Sequence, residues 1–232
     1  MTDIAAGCSS PTAICVKMRQ FSDERRNAMK ITWYGHSCFL VETDSGSAVF
    51  DPYAPGSVPG LTLPKLCADA VFCSHAHSDH AYAQGVTLTG LKPSFAVTRL
   101  PTFHDEKHGA LRGENTVTLI EAEGIRLVHL GDLGHELSGE QVSALGRVDV
   151  LLVPIGGYYT IDAKAAHNVA VSLRAKIVIP MHYRGDGFGY GVIAENDEFL
   201  ALSENVTWFK TNFVELSSAA EPMTAVLQVN RS

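Results

Sequence analysis

The stretch that most constrains this chain is Ser74-His75-Ala76-His77-Ser78-Asp79-His80, in which four of seven residues are metal-ligand types spaced H-x-H-x-D-H. The apolar run Ala70-Val71-Phe72-Cys73 leads into it and reads as a buried strand. In an extended segment two histidines two positions apart turn their rings to one face. Asp79 and His80 then follow at the turn out of the strand, placed for a second metal nearby. Imidazole nitrogen and carboxylate oxygen suit zinc, iron or manganese better than calcium or magnesium. A histidine-rich surface loop is the alternative, but it gives no reason for this spacing at a strand end.

A metal needs several ligands within ~2.0–2.2 Å, so the rest of the chain must bring more of them to this point. From Met29 onward short β runs (Ile31–Tyr34, Cys38–Glu42, Ala48–Phe50) are separated by turn residues and read as an antiparallel meander. Asp51-Pro52 closes the third run, and residues 53–66 form a Pro- and Gly-rich loop. Val117–Glu121 and Ile125–Leu130 read as a hairpin. Helices are expected over Ser138–Leu145, with Ser138 as N-cap, over Asp162–Leu173 and over Val192–Leu202. Val148–Val153 and Ile177–His182 are buried strands, followed by short extended runs near Val206, Phe213 and Ala225. The opening motif, Asp132 and His182 each follow an apolar strand at its C-terminal end, and His104 lies in a loop after one. Such ends converge on one rim in layered α/β architectures.

Length and composition bound the rest. A chain of 232 residues suits one large α/β domain, and its net charge of −7 without a basic cluster argues against nucleic-acid binding. Five cysteines with no C-x-x-C pair fit a reducing, cytoplasmic setting with no disulfide framework. No apolar stretch approaches the ~20 residues of a membrane helix. Residues 1–28 are charged and aperiodic and lack an export-signal pattern, so they read as an extension of a domain spanning 29–232.

Gly35-His36-Ser37, the H-x-H-x-D-H motif, Leu130-Gly131-Asp132, Pro154-Ile155-Gly156-Gly157 and Ile179-Pro180-Met181-His182-Tyr183 occur in this order. Over roughly residues 29–216 the chain thereby resembles the metallo-β-lactamase superfamily, in its branch of ascorbate-6-phosphate lactonase-like and uncharacterised metal-dependent hydrolases. Position 77 is His rather than the Glu of the H-x-E-x-D pattern, which separates it from the diiron flavoprotein branch and favours a hydrolase. The resemblance implies an α/β fold, a four-layer αβ/βα sandwich of two mixed β-sheets flanked by helices, with metals at one edge. It implies two divalent ions, Zn²⁺ foremost with Mn²⁺ or Fe²⁺ as alternatives. His75, His77 and His104 would hold the first, Asp79, His80 and His182 the second, and Asp132 would bridge them. His108, one helical turn beyond His104, is the alternative third ligand.

Around that set, Asp51 is the candidate to fix a ligand tautomer. His36 and His135 are rim residues or ordinary turn histidines, while His129 in a strand and His167 in a helix read as structural. Asn115 with Arg112 are candidates to reach a substrate anion. The expected chemistry is attack by a metal-activated hydroxide on a carbonyl or phosphorus centre of a small-molecule substrate. Asp79 would orient the hydroxide and accept its proton, and Tyr183 and His135 would be proton donors. The products would be those of a small ester, lactone, amide or phosphoester. A nuclease or phosphodiesterase of the same superfamily is disfavoured by the short chain and the missing basic arm. A metal-binding protein without turnover is the reading from another class. The loops expected to select substrate, 53–66, 154–160 and 184–191, match no pattern.

Overall fold

The computed structural model describes residues 27–230, so the boundary proposed at residue 28 falls at its edge and nearly all of the expected extension lies outside the described residues. The chain opens with the expected meander: β1 (Met29–Trp33), β2 (Phe39–Thr43) and β3 (Gly46–Phe50) pair antiparallel. Next come β4 (Leu66–Ala68), β5 (Ala70–Phe72) and β6 (Val86–Leu88). A hairpin series follows, β7 (Ala96–Phe103), β8 (Glu114–Ala122) and β9 (Ile125–His129). The chain then alternates helix and strand: α1 (Gly139–Leu145), β10 (Val150–Pro154), α2 (Ala163–Ser172), β11 (Ile177–Met181) and α3 (Asp197–Leu202). Three short strands finish it, β12 (Val206–Trp208), β13 (Phe213–Leu216) and β14 (Met223–Val226).

These strands form two mixed sheets, ordered β13-β1-β2-β3-β5 and β12-β14-β11-β10-β9-β8-β7, with a small β4-β6 sheet beside them. The two-residue period of the strands builds the layers. Ile31, Phe39, Val41 and Phe50 join Leu119, Leu127, Leu152 and Ile179 in the core between the large sheets. Cys38, Leu40 and Val49 point the other way, where Tyr53, Val58 and Leu61 of the loop and Leu66 and Val86 of the small sheet cover them. The parallel strands β10 and β11 are buried along their whole length, as strands covered on both faces must be.

Local chemistry explains the helix starts. Gln141 N–H donates to Ser138 Oγ at 3.2 Å while Ser138 N–H donates to Gln141 Oε1 at 2.9 Å, a reciprocal cap. Asp162 caps α2 by accepting from Ala165 N–H at 2.8 Å. The helix expected from Val192 begins only at Asp197. Its first residues are held as a turn and irregular chain instead: Arg184 Nε donates to Ile193 O, Arg184 N to Ala194 O, and Ala194 N to Gly156 O. β5 is half-buried rather than buried, because it is the edge of its sheet. Cys38 and Cys73 are free, whereas Cys67 is disulfide-bonded, which corrects the expectation of no disulfide at that residue. Among the described residues no helix is long and apolar enough to cross a membrane.

His129 ties the sheets together beneath the rim. Its Nδ1 accepts from Gly131 N–H at 3.0 Å, so the proton sits on Nε2, which donates to Ser37 O at 2.9 Å across the core. Its ring stacks on Phe50 with centroids 5.0 Å apart, and burial keeps the imidazole neutral by lowering its pKa. His129→Ala would leave a buried carbonyl and N–H unpaired beside a cavity, and is expected to cost roughly 2–5 kcal/mol in urea unfolding. Bound metal should be unchanged at temperatures where the variant is folded. Loss of metal without loss of stability would instead make His129 part of the metal site.

Candidate metal centre

The histidines and carboxylates singled out in the sequence collect where strands of both sheets end. His36 sits in the β1–β2 turn, Asp51 after β3, residues 74–80 after β5, His104 after β7, Asp132 after β9 and His182 after β11. The H-x-H segment is not extended, as the alternation argument assumed; it bends, and His80 N–H closes the turn on His77 O at 3.0 Å. The bend brings the His75 and His77 ring centroids to 4.6 Å. His36, Asp51 and His182 adopt φ of +51°, +41° and +53°, a conformation costing on the order of 1–3 kcal/mol each for non-glycine residues. Strain at three converging strand ends is what aims these side chains inward.

The ligand atoms of His75, His77 and His104 lie within 4.8 Å of one another, and so do those of His36, His80 and His182. Between the two groups stands Asp132. Its Oδ2 is 3.1 Å from His182 Nε2, 3.2 Å from His80 Nε2, 3.3 Å from His104 Nε2 and 4.0 Å from His75 Nε2. Asp79 Oδ2 lies 3.4 Å from His36 Nε2 and 3.7 Å from His80 Nε2, so the second group contains His36 in addition to the expected Asp79, His80 and His182.

Several of these atoms are buried with no hydrogen-bond partner among the described residues: His75 Nε2, His104 Nδ1, His182 Nδ1, both ring nitrogens of His36, and Asp132 Oδ1. Each such atom costs on the order of 1–3 kcal/mol. A cluster of them, all metal-ligand types, fits cation binding and makes poor sense as a plain core. Protonation agrees. Burial, helped by His182 for one and His80 for the other, lowers the pKa of His36 and of His75 to about 3, so both are neutral as ligands must be. Burial also opposes charge on His80, but Asp132 and Asp51 outweigh it and hold a proton there. Burial likewise opposes charge on Asp132, and His182 and His80 outweigh it, keeping the carboxylate ionised. A bound cation would be favoured by the same field that holds the His80 proton.

A second layer of contacts fixes the ligands. Asp51 Oδ2 lies 2.8 Å from His80 Nδ1 and accepts from Ser74 Oγ at 2.6 Å, while Asp51 Oδ1 accepts from Ser74 N–H at 2.7 Å. Ser74 Oγ is 2.9 Å from His75 Nδ1. With the serine proton committed to Asp51, His75 carries its proton on Nδ1, so His75 and His80 both present Nε2. Asn115 does not face substrate. Its Oδ1 accepts from Asp132 N–H at 2.9 Å, and its Nδ2 donates to Thr102 Oγ1 at 2.8 Å and Leu130 O at 2.9 Å, clamping the backbone at Asp132. Gly131 permits this approach, since a Cβ there would lie 2.4 Å from Asn115 Oδ1.

A cavity of about 270 Å³ opens on the cluster, lined by His77, Asp79, His104, Arg112, Asp132, Tyr159, His182 and Tyr190. His108 and His135 line a different cavity with Phe103 and Asp105; His108 packs on the Phe103 ring and His135 Nε2 accepts from Phe103 N–H at 3.3 Å. Tyr183 is buried against Trp33 and Phe188. His104 is therefore the histidine brought to the metal group, and neither His135 nor Tyr183 reaches the cavity as a proton donor. His167 lines a larger cavity of about 340 Å³ between α2 and α3, beside Arg174 and Phe199. Sequence reasoning missed Tyr159 and Tyr190. The Tyr190 hydroxyl lies 2.6 Å from Ser57 O and 3.1 Å from Asp79 Oδ2, carried there by the run Gly185-Asp186-Gly187-Phe188-Gly189-Tyr190-Gly191. Only that glycine spacing hinted at a close approach; a Cβ on Gly60 would lie 1.9 Å from Gly187 O.

A model of the beta-lactamase superfamily domain matches residues 30–182, a span that holds every ligand candidate from His36 to His182. The chain belongs to the beta-lactamase superfamily. A UPF0173 metal-dependent hydrolase of Carboxydothermus hydrogenoformans is 30% identical over 191 residues, covering 67% of this chain and 84% of the relative. Another, from Opitutus terrae, is 32% identical over 199 residues, covering 68% and 86%. A crystal structure from Thermotoga maritima, provisionally named a zinc-dependent hydrolase of the metallo-β-lactamase superfamily, is 35% identical with a TM-score of 0.71, covering 87% of this chain and all (100%) of that one. Within the superfamily the chain thus stands with the UPF0173 metal-dependent hydrolases, and its paired sheets are the superfamily's sandwich.

The geometry separates His104 from His108 experimentally. His104→Ala is expected to lower bound metal by about one ion per chain, because a three-ligand set loses a member. His108→Ala should leave metal content as in the parent protein. Elemental analysis of both variants after dialysis checks this, and the reverse pattern would move the third ligand to His108.

Proposed function

We propose that this protein hydrolyses a small ester, lactone, amide or phosphoester with the help of two divalent metal ions, zinc foremost. The observation that carries the proposal is Asp132 Oδ2, which stands 3.1–3.3 Å from imidazole nitrogens of both histidine groups. His75, His77 and His104 would hold one ion, His36, Asp79, His80 and His182 would surround the other, and Asp132 would lie between. Ions so bound polarise a substrate oxygen and lower the pKa of water towards ~7. The name of the Thermotoga maritima relative supports zinc, and the imidazole-rich donor set suits it.

The remaining steps fall to the chain's own groups. Asp79 is half-buried, lines the cavity and is ionised: burial works against its charge, but His36 and His80 outweigh that. In this reading it would orient a water molecule and accept its proton. Tyr190 stands beside it with a hydroxyl whose pKa burial and the Asp79 charge push up, so it keeps its proton. That makes Tyr190 the group to donate to a leaving oxygen or nitrogen, the role first expected of Tyr183 and His135. Because five metal-ligand residues line the cavity, substrate has access to them. A purely structural metal site would be closed, which disfavours the reading without turnover. A polynucleotide substrate is disfavoured by the net charge of −7 and by a cavity at the small end of the ligand-pocket range.

The test is turnover by zinc- and manganese-reloaded protein on a panel of lactones, thioesters, phosphomonoesters and phosphodiesters, with chelated protein as control. Tyr190→Phe should lower kcat about a hundredfold on the substrate found, with metal content unchanged. A fully loaded protein that turns over nothing on the panel would contradict the proposal. Turnover of RNA or DNA alone would favour the nuclease.

A further inference from the structure

Among the described residues, Arg112 is the only lysine or arginine lining the cavity above the His/Asp cluster. Arg126, Arg147 and Arg184 each pair with a carboxylate, of Glu121, Asp149 and Glu195 respectively. Among the described residues Arg112 has no such partner; its guanidinium meets a carbonyl and a ring. Its Nη2 donates to Tyr158 O at 2.8 Å, and its guanidinium lies over the Tyr159 ring at 5.7 Å. A guanidinium carries five N–H donors in a planar fork, so four are left after the Tyr158 bond.

The side chain is also held in advance. Asp105 accepts from the backbone N–H groups of Lys107, Gly109, Leu111 and Arg112 at 2.7–3.1 Å, which ties the loop leading to Arg112 into one turn. Tyr158 takes φ of +54° on the other side, a strained conformation in the residue whose carbonyl meets the guanidinium. A half-buried, half-stacked arginine fixed from two loops loses little freedom when it binds an anion. The charge balance points the same way. Two divalent ions more than offset Asp79 and Asp132, so the loaded cavity is net positive on a chain of net charge −7.

We propose that Arg112, stacked on Tyr159, is a specificity residue that binds an oxyanion carried by the substrate away from the bond that breaks. The substrate class is then a small ester, lactone, amide or phosphoester bearing a further carboxylate or phosphate. This rests on the hydrolase reading for the word substrate, but its test does not require turnover.

The test uses non-hydrolysable probes on the metal-loaded protein: butyrate, glutarate and 3-phosphonopropionate. Each has one carboxylate for the metals, and only the latter two have a second anion for Arg112. By calorimetry the parent protein should bind at least one of the two-anion probes about tenfold to a hundredfold more tightly than butyrate. Arg112→Gln should erase that preference with metal content unchanged, and Arg112→Lys, which keeps charge without the fork, should keep part of it. Whichever of glutarate and 3-phosphonopropionate binds more tightly tells a carboxylate from a phosphate. No preference in the parent protein, or one that survives in Arg112→Gln, overturns the proposal. If Arg112→Gln does not fold, an Arg112→Lys variant with the full parental preference overturns it and a reduced preference supports it. Turnover on the substrate panel with no Arg112-dependent preference would leave the hydrolase standing and this proposal refuted. The opposite outcome would leave the anion site standing without the hydrolase.

Discussion

A single buried carboxylate oxygen set among imidazoles is the constraint on which the rest depends. Asp132 Oδ2 has His80, His104 and His182 within 3.3 Å, and those three residues come from three different loops. Their convergence requires β5, β7, β9 and β11 to end at one rim, which requires the two sheets to face each other in register. The apolar periodicity of the strands secures that packing, and His129 locks it by joining Ser37 to Gly131. Placing one charge correctly thus recruits the core, the sheet order and the loops together.

The rim is not a low-energy surface on its own. Buried ring nitrogens lack partners among the described residues, three residues that shape it are at positive φ, and Asp132 and Asp51 push the His80 pKa up against burial. Such features cost free energy that the large core must offset. Cations that bind the native state but not the unfolded chain would return part of it through mass action. Asp51, Ser74 and Asn115 keep the arrangement ready by fixing proton positions and the backbone of Asp132.

The sequence made most of the clustered His and Asp residues legible because they follow strands, and strand ends converge whatever the loop details. Asp51 was legible on the same logic. The H-x-H-x-D-H segment does bring His75 and His77 together, but by a bend rather than by the extended strand that the alternation argument assumed. What failed to show was loop direction. His135 lies three residues from Asp132, and Tyr183 next to His182, yet both turn away, while Tyr190 and Tyr159 arrive from loops with no periodic pattern. His36 is decided by its φ of +51°, which no propensity scale for histidine would supply. Asn115 belongs to the same class: its role is written in three hydrogen bonds to residues far along the chain. The helix from Val192 is shortened for a similar reason, because Arg184 and Gly156 claim the backbone of Ile193 and Ala194.

Anomalous X-ray scattering from crystals of the zinc-loaded protein, recorded on both sides of the zinc absorption edge, tests the central claim most directly. The account requires two peaks ~3.5–4 Å apart with the Asp132 carboxylate between them. One peak should sit among His75, His77 and His104, the other among His36, Asp79, His80 and His182. A single fully occupied peak, or two peaks that Asp132 does not touch, would contradict it.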